Sequence, residues 1–138
     1  MLVTLPPDYR PSDSEEFMNA LQLEYFRQKL LRWRQDLLRE AGETLSSLSE
    51  GGIAEADLAD RASVETDREL ELRTRDRARK LINKIDQALE RIEYGTYGYC
   101  EESGEPISLR RLEARPIATM TIEAQERHER MERVHRDD

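Results

Sequence analysis

Apolar residues recur at steps of three and four along two long segments of the chain. The first seam lies within residues 17–48 and comprises Leu23, Phe26, Leu30, Trp33 and Leu37. The second lies within residues 61–93 and comprises Ala78, Leu81, Ile85, Ala88 and Ile92. Charged residues fill most of the positions between them. Each segment therefore predicts a long amphipathic helix with one apolar stripe.

The segment between the two helices contains the residues that interrupt helices. Serines and the pair Gly51-Gly52 end the first pattern, and a short acidic loop with Glu55, Asp57 and Asp60 follows. We expect Asp57 or Asp60 to cap the second helix. Two helices of similar length joined by a short turn predict an antiparallel coiled-coil hairpin, which buries only one seam.

The two ends of the chain have a different character. Residues 1–14 contain three prolines and no period, and they predict a flexible arm ahead of a hairpin over residues 15–95, whose acidic tip lies at about 50–61. Residues 96–138 predict a small globular part. It begins with a strand or knuckle ending at Cys100, continues with a short strand or helical turn over 107–112, and ends in a helix from Thr121 to about Arg136. We expect the knuckle to pack through Tyr97, Tyr99, Ile107, Leu109 and Leu112. The predicted fold class is mainly α.

Composition agrees with charged helices. Only 37% of the 138 residues are hydrophobic, 38% are charged, and the formal net charge is -8. An acidic surface disfavours duplex DNA and suits a basic groove on another protein. No segment approaches the roughly 20 apolar residues that span a bilayer, and the N-terminus does not resemble a secretory signal. We therefore expect a cytoplasmic protein without membrane contact.

The single cysteine lies in a pattern that is typical of zinc sites. With cysteine at three further positions the pattern would be C-x2-C-x17-C-x2-C, a four-thiolate site. The four positions are occupied here by Cys100, Ser103, Thr121 and Ala124. Serine, threonine and alanine are not structural zinc ligands, so we expect a degenerate zinc finger that binds no zinc and no other tightly held cofactor. A redox sensor would need a lowered pKa, which the adjacent Glu101 and Glu102 disfavour. We therefore expect Cys100 to be a small, partly buried hydrophobe, with a redox sensor as the alternative.

Several motifs together resemble one family. The knuckle sequence is Tyr97-Gly98-Tyr99-Cys100, and residues 110–116 read Arg-Arg-Leu-Glu-Ala-Arg-Pro. Residues 70–77 read Leu-Glu-Leu-Arg-Thr-Arg-Asp-Arg, and residues 57–62 fit the pattern D-x-x-D-x-A. From about Glu15 onwards, the order and spacing of these motifs resemble those of the DksA/TraR family of RNA polymerase-binding factors, in its cysteine-poor form.

The resemblance implies that the hairpin enters the secondary channel of RNA polymerase. The coiled-coil tip residues implied by it are Asp57, Asp60 and Ala62, which would approach the catalytic centre. The residues implied to contact the polymerase are Thr74, Arg77 and Lys80. Thr74 stands where the family pattern has asparagine, so Arg77 is the stronger candidate, because arginine binds carboxylates through two parallel hydrogen bonds.

The resemblance also implies a nucleotide effector. In this family the alarmone ppGpp binds between the factor and the polymerase, and Leu81, Lys84 and Arg115 resemble the residues that line its site. Lysine and arginine are natural phosphate ligands. Gln125 replaces a basic residue of the family pattern, which predicts a weaker response to ppGpp.

These features predict a monomeric transcription regulator that is not an enzyme and binds no specific DNA sequence. It would alter open-complex stability at ribosomal RNA and stringent-response promoters, together with ppGpp and without zinc. One alternative is a transcript-cleavage-type channel factor, whose tip carboxylates complete a magnesium site of the polymerase. Another is a structural coiled-coil protein, in which Asp57 and Asp60 only cap a helix and the charged face of the second helix is only solvated.

Overall fold

The computed structural model describes the backbone of residues 3–50 and 58–137, and the side chains of residues 3–42 and 63–135. These residues form four helices: α1 (Ala20–Glu50), α2 (Leu58–Tyr94), α3 (Leu109–Ala114) and α4 (Ile122–Asp137). The predicted mainly α class is confirmed. None of these helices is long and apolar enough to cross a membrane.

The chain divides into two compact units, and unit 2 consists of residues 31–86. Its helices are the larger part of α1 and the first part of α2. The Nε atom of Arg34 lies 2.8 Å from Oδ1 of Asp86. Because this pair joins the start of the α1 segment to the end of the α2 segment, the two segments run antiparallel. Of their predicted seam residues, Ile85 is fully buried, and the others are half-buried: Trp33, Leu37, Ala78 and Leu81.

The charged middle of α2 is exposed, as a single-seam rod requires. Asp76 forms an ion pair with Arg79 (3.6 Å), rather than the i,i+4 pair with Lys80 that its spacing also permits. Such exposed pairs contribute only a few tenths of a kcal/mol each. The stability of unit 2 therefore rests on its narrow apolar seam.

Unit 1 comprises residues 1–30 and 87–138 and contains most of the buried apolar side chains. The aromatic ring of Phe26 packs on that of Tyr97, with 5.6 Å between centroids. The Tyr97 hydroxyl donates a hydrogen bond to the Pro116 carbonyl at 2.7 Å, and burial raises the pKa of this phenol. The other fully buried apolar side chains of the unit are Leu30, Ala88, Ile107, Leu112 and Ala124.

The knuckle differs in part from its predicted form. Tyr99 and Pro106 form one isolated antiparallel bridge, and no longer strand occurs among the described residues. The second predicted segment takes its helical alternative and becomes α3, whose first turn is capped by the Ser108 side chain. Tyr99 is 40% exposed, and its ring packs edge to face on that of Phe17, with 5.4 Å between centroids.

The segment before α1 makes specific contacts. The hairpin was predicted to begin at residue 15, after an arm over residues 1–14, whereas α1 begins at Ala20. The Ser12 N–H donates a hydrogen bond to Oε1 of Glu15 at 2.9 Å, within a turn ahead of the helix. The Tyr9 ring packs edge to face on Tyr25 at 6.2 Å. The contacts of Tyr9, Ser12 and Glu15 therefore stabilise turns ahead of α1, in place of an N-terminal extension of the helix.

Candidate functional site

The predicted acidic tip lies largely outside the described residues. Asp57 falls between the two described ranges, and α2 begins at the next residue. Asp60 and Ala62 belong to the first two turns of α2 by their backbone, and their side chains lie outside the described part. The role predicted for these three residues stays a prediction.

Two of the predicted contact residues belong to a longer row of cations on α2. Arg73, Arg77, Lys80 and Lys84 follow the spacing i, i+4, i+7, i+11, which places them on one helical face. All four are exposed, and within the described residues none of them forms an ion pair. We call them the cationic stripe. Sequence reasoning selected Arg77, Lys80 and Lys84 and missed Arg73, although the spacing itself was a sufficient signal.

The third predicted contact residue, Thr74, lies beside the cationic stripe and is exposed. Its hydroxyl donates a hydrogen bond to the Leu70 carbonyl at 2.9 Å. Back-bonding of this kind is common for threonine within helices. The hydroxyl hydrogen is thus used inside α2, and the side chain offers a partner only acceptor lone pairs.

The predicted ppGpp residues belong to both compact units. Leu81 and Lys84 lie on α2 in unit 2, where Leu81 is half-buried and Lys84 is exposed. Arg115 lies in unit 1 directly after α3, and its side chain is exposed. Gln125, on α4, donates a hydrogen bond to Glu129 at 3.2 Å. Its amide therefore forms a local contact in place of the cation that the family pattern predicted.

The four degenerate zinc positions differ from one another in chemistry and exposure. Cys100 is only 3% exposed, whereas the Ser103 side chain is exposed. The Thr121 hydroxyl accepts a hydrogen bond from the Ala124 N–H at 3.2 Å and so caps α4. Ala124 is fully buried and offers no side-chain ligand.

Hydrogen bonds converge on the Cys100 sulfur. Burial raises the pKa of the thiol, but hydrogen bonds from the Ser103 side chain and from the N–H groups of Ser103, Thr121 and Glu102 outweigh it. The resulting pKa is about 7. The prediction that its glutamate neighbours prevent a lowered pKa was wrong, because backbone donors act at hydrogen-bond distance. Cys100, which was predicted to be partly buried, is almost completely buried.

These side chains do not fit a zinc ion. A structural zinc site needs four nitrogen, sulfur or oxygen ligands, and here one thiol is joined by an exposed hydroxyl, a capping hydroxyl and a methyl group. Over the part of the chain that the structure describes, no group of three or more His, Cys, Asp or Glu side chains is placed to hold a metal.

Two family models match the chain. Residues 22–92 match the N-terminal domain of DnaK suppressor protein DksA. Residues 95–130 match the prokaryotic dksA/traR C4-type zinc finger. The second match agrees with the fold of the knuckle and disagrees with its chemistry, because only one of the four cysteines is present.

Characterised relatives carry the same family name. The RNA polymerase-binding transcription factor DksA of Caulobacter vibrioides is 72% identical over 131 residues, which cover 95% of this chain and 92% of the relative. The factor of the same name from Escherichia coli K12 is 44% identical, covering 83% of this chain and 76% of the relative.

A solved structure supports the same assignment. Transcription factor DksA2 from Pseudomonas aeruginosa superposes with a TM-score of 0.79 at 45% identity, covering 90% of this chain and 94% of that one. The two family models, the relatives and this structural similarity agree with the motifs quoted above. The chain therefore belongs to the DksA/TraR family.

Proposed function

We propose that this chain is a transcription regulator that binds bacterial RNA polymerase through the secondary channel and has no enzymatic activity of its own. It alters open-complex stability at ribosomal RNA and stringent-response promoters, acts together with ppGpp, and does not need zinc. It works in the cytoplasm as a monomer and does not recognise a DNA sequence directly. The names of its relatives support polymerase binding.

The cationic stripe is the observation that carries the proposal. A run of charges on a helix is most often a solvated face, so exposure alone does not indicate an interface, whereas a row of like charges on one face does favour one. Here Arg79 has its partner Asp76, and four neighbouring cations have none among the described residues. Such a row of cations on a protein of net charge -8 matches an acidic surface on a large partner.

Lys84 belongs to the same stripe and also to the predicted effector site. We propose that the cationic stripe ends in a phosphate-binding position formed by Lys84, next to Leu81. Arg115, in unit 1, is proposed as a ppGpp-binding residue on the family resemblance alone. Each exposed cation offers charge-assisted hydrogen bonds to phosphate oxygens. Gln125 supplies no charge, so the response to ppGpp rests on fewer cations.

Replacing Lys84 with alanine tests this part of the proposal. Lys84 also belongs to the cationic stripe, so the comparison is made at a protein concentration that saturates the polymerase. There we expect regulation without ppGpp to persist and the additional effect of ppGpp to require about tenfold more ppGpp, since a hydrogen bond to a charged group contributes about 1.5–3 kcal/mol. The measurement is promoter transcription over a ppGpp titration. Gln125→Lys is the converse variant, and we expect it to lower the ppGpp requirement. An unchanged titration for Lys84→Ala would remove this residue from the effector site.

Independence from zinc is tested by transcription from a ribosomal RNA promoter with purified polymerase and a metal chelator. We expect the wild-type chain to inhibit equally with and without chelator, because Ser103, Thr121 and Ala124 leave no metal to remove. Inhibition that requires added zinc would contradict the proposal. Transcript cleavage by stalled polymerase, measured in the same preparation, would instead indicate the cleavage-type alternative.

A further inference from the structure

Without a metal, the knuckle needs another constraint to hold its two halves together. In a four-cysteine finger the metal joins two short ligand pairs and supplies much of the folding free energy. Here the corresponding pairs are Cys100 with Ser103 and Thr121 with Ala124. This inference rests on the zinc independence of the proposed function, and it concerns what replaces the metal.

A backbone hydrogen bond joins the same two halves. The Glu101 N–H donates to the Thr119 carbonyl at 2.8 Å. Within the first half, the Cys100 N–H donates to the Glu105 carbonyl at 2.8 Å. Each hydrogen bond of this kind contributes little net free energy in a loop that water can reach. Packing that excludes water and limits the motion of the loop makes such bonds more stable.

The N-terminal segment supplies packing at this place. The ring of Phe17 meets that of Tyr99 at 5.4 Å, one residue before Cys100. The side chain of Met18 covers Gly98 so closely that a Cβ atom on Gly98 would lie 3.1 Å from its Cγ. Gly98 in turn accepts a hydrogen bond from the Ile107 N–H at 2.7 Å, which closes the loop of the knuckle.

The backbone of the segment is itself held in an uncommon conformation. Met18 has a φ of 53°, a backbone angle that residues other than glycine rarely adopt. Its N–H donates to Oε1 of Gln22 at 2.8 Å, and Nε2 of Gln22 donates to the Ser12 carbonyl at 3.3 Å. Gln22 is completely buried. A buried amide that satisfies two backbone groups fixes the path of the segment and directs Met18 onto Gly98.

A second anchor lies further towards the N-terminus. The Tyr9 hydroxyl donates to Glu15 at 2.9 Å, and the Tyr9 ring packs on Tyr25 of α1. Glu15 also accepts hydrogen bonds from the Ser12 N–H and from the Asn19 side chain. Residues 9–18, which we call the N-terminal strap, are therefore held at both ends.

We propose that the N-terminal strap takes over the structural role of zinc in this chain, by clamping the loop at Gly98 and Tyr99 so that the knuckle stays closed without a metal. The strap acts from outside the knuckle, through an aromatic pair and a side chain packed on a glycine. The hydrogen bond from the Glu101 N–H to the Thr119 carbonyl then acts as the inner link between the two halves.

Amide hydrogen exchange of the full-length chain, measured by NMR in the presence of chelator, tests the proposal. The informative amides are those of Cys100, Glu101 and Ile107, and amides of α2 around Ile85 are the internal reference. We expect Phe17→Ala to accelerate exchange at the three knuckle amides by about tenfold or more and to leave the reference unchanged, since local opening reports local contacts. Tyr9→Phe removes only one hydroxyl and gives a smaller acceleration at the same amides.

Glu16→Ala is the matched control, because Glu16 is the exposed neighbour of Phe17. We expect it to exchange like the wild type. Knuckle amides that exchange within about twofold of the wild-type rate in Phe17→Ala would overturn the proposal. Loss of protection in the wild-type chain itself, in chelator, would instead contradict the zinc independence of the proposed function. The two failures are thus distinguishable.

A rescue experiment connects the strap to the metal. The triple variant Ser103→Cys/Thr121→Cys/Ala124→Cys restores four thiols at the zinc positions. With zinc bound, we expect this variant to tolerate Phe17→Ala without faster knuckle exchange, and to become sensitive again when chelator is added. If Phe17→Ala still accelerates knuckle exchange by about tenfold in the zinc-loaded variant, zinc does not replace the function of the strap and the proposal is wrong. The comparison of wild type with Phe17→Ala decides the matter even where the triple variant does not fold.

Discussion

Asp57→Asn/Asp60→Asn is expected to abolish promoter regulation while leaving the affinity for RNA polymerase unchanged. The proposed role of the tip is to present two carboxylates near the catalytic centre, and asparagine keeps their shape but removes their charge. A hydrogen bond to a charged group contributes about 1.5–3 kcal/mol, so removing two such interactions reduces the regulatory effect by at least about tenfold. Transcription from a ribosomal RNA promoter and a direct binding assay measure the two quantities.

The same double substitution also separates a regulatory role of Asp57 and Asp60 from a role in capping α2. Asparagine caps helices about as well as aspartate, so the start of α2 loses only the charge–dipole contribution, about 0.3–1 kcal/mol for each residue. Glu55→Gln is the control, since it removes a charge from the same loop outside the D-x-x-D-x-A pattern. Full regulation by the double variant would leave Asp57 and Asp60 as caps only, and equal loss in Glu55→Gln would indicate a general need for negative charge.

Arg77→Ala and Lys80→Ala are expected to weaken binding to RNA polymerase by about tenfold each, at unchanged stability of the chain. Both side chains are exposed, and neither forms an ion pair within the described residues, so their removal leaves no partner unsatisfied there. The expected weakening corresponds to about 1.5 kcal/mol for each charge-assisted hydrogen bond that the substitution removes from the interface. Because they are neighbours on one face, the double variant need not be additive.

Arg79→Ala is the matched control for the cationic stripe. It removes the same charge from the same stretch of α2, but Arg79 lies on a different face and is paired with Asp76. We expect it to bind with an affinity close to that of the wild type, and we expect the salt dependence of binding to decrease for Arg77→Ala and Lys80→Ala but not for Arg79→Ala. Equal weakening by all three variants would mean that the polymerase responds to total charge and does not recognise the stripe.

Arg73 was not selected from the sequence, because the family resemblance directed attention to Thr74, Arg77 and Lys80. The helical spacing alone placed it in line with them. Several carboxylates of α2 lie three or four residues away from these cations, so the sequence alone permits ion pairs. Only the tertiary structure shows that the four cations form none within the described residues. Which pairs form depends on side-chain conformations that sequence spacing does not specify.

The sequence by itself determined the helices, their seam and the family. These features depend on periodicity and on residues that are close in the chain, and Ile85, Ala88 and Phe26 are buried as their spacing predicted. The tertiary structure alone decided how the segment ahead of α1 runs and what surrounds Cys100. Phe17 meets Tyr99, and the Glu101 N–H donates to the Thr119 carbonyl, across long stretches of chain. Such contacts depend on how the chain returns to itself, and neither local propensity nor the charge of neighbouring residues encodes that path.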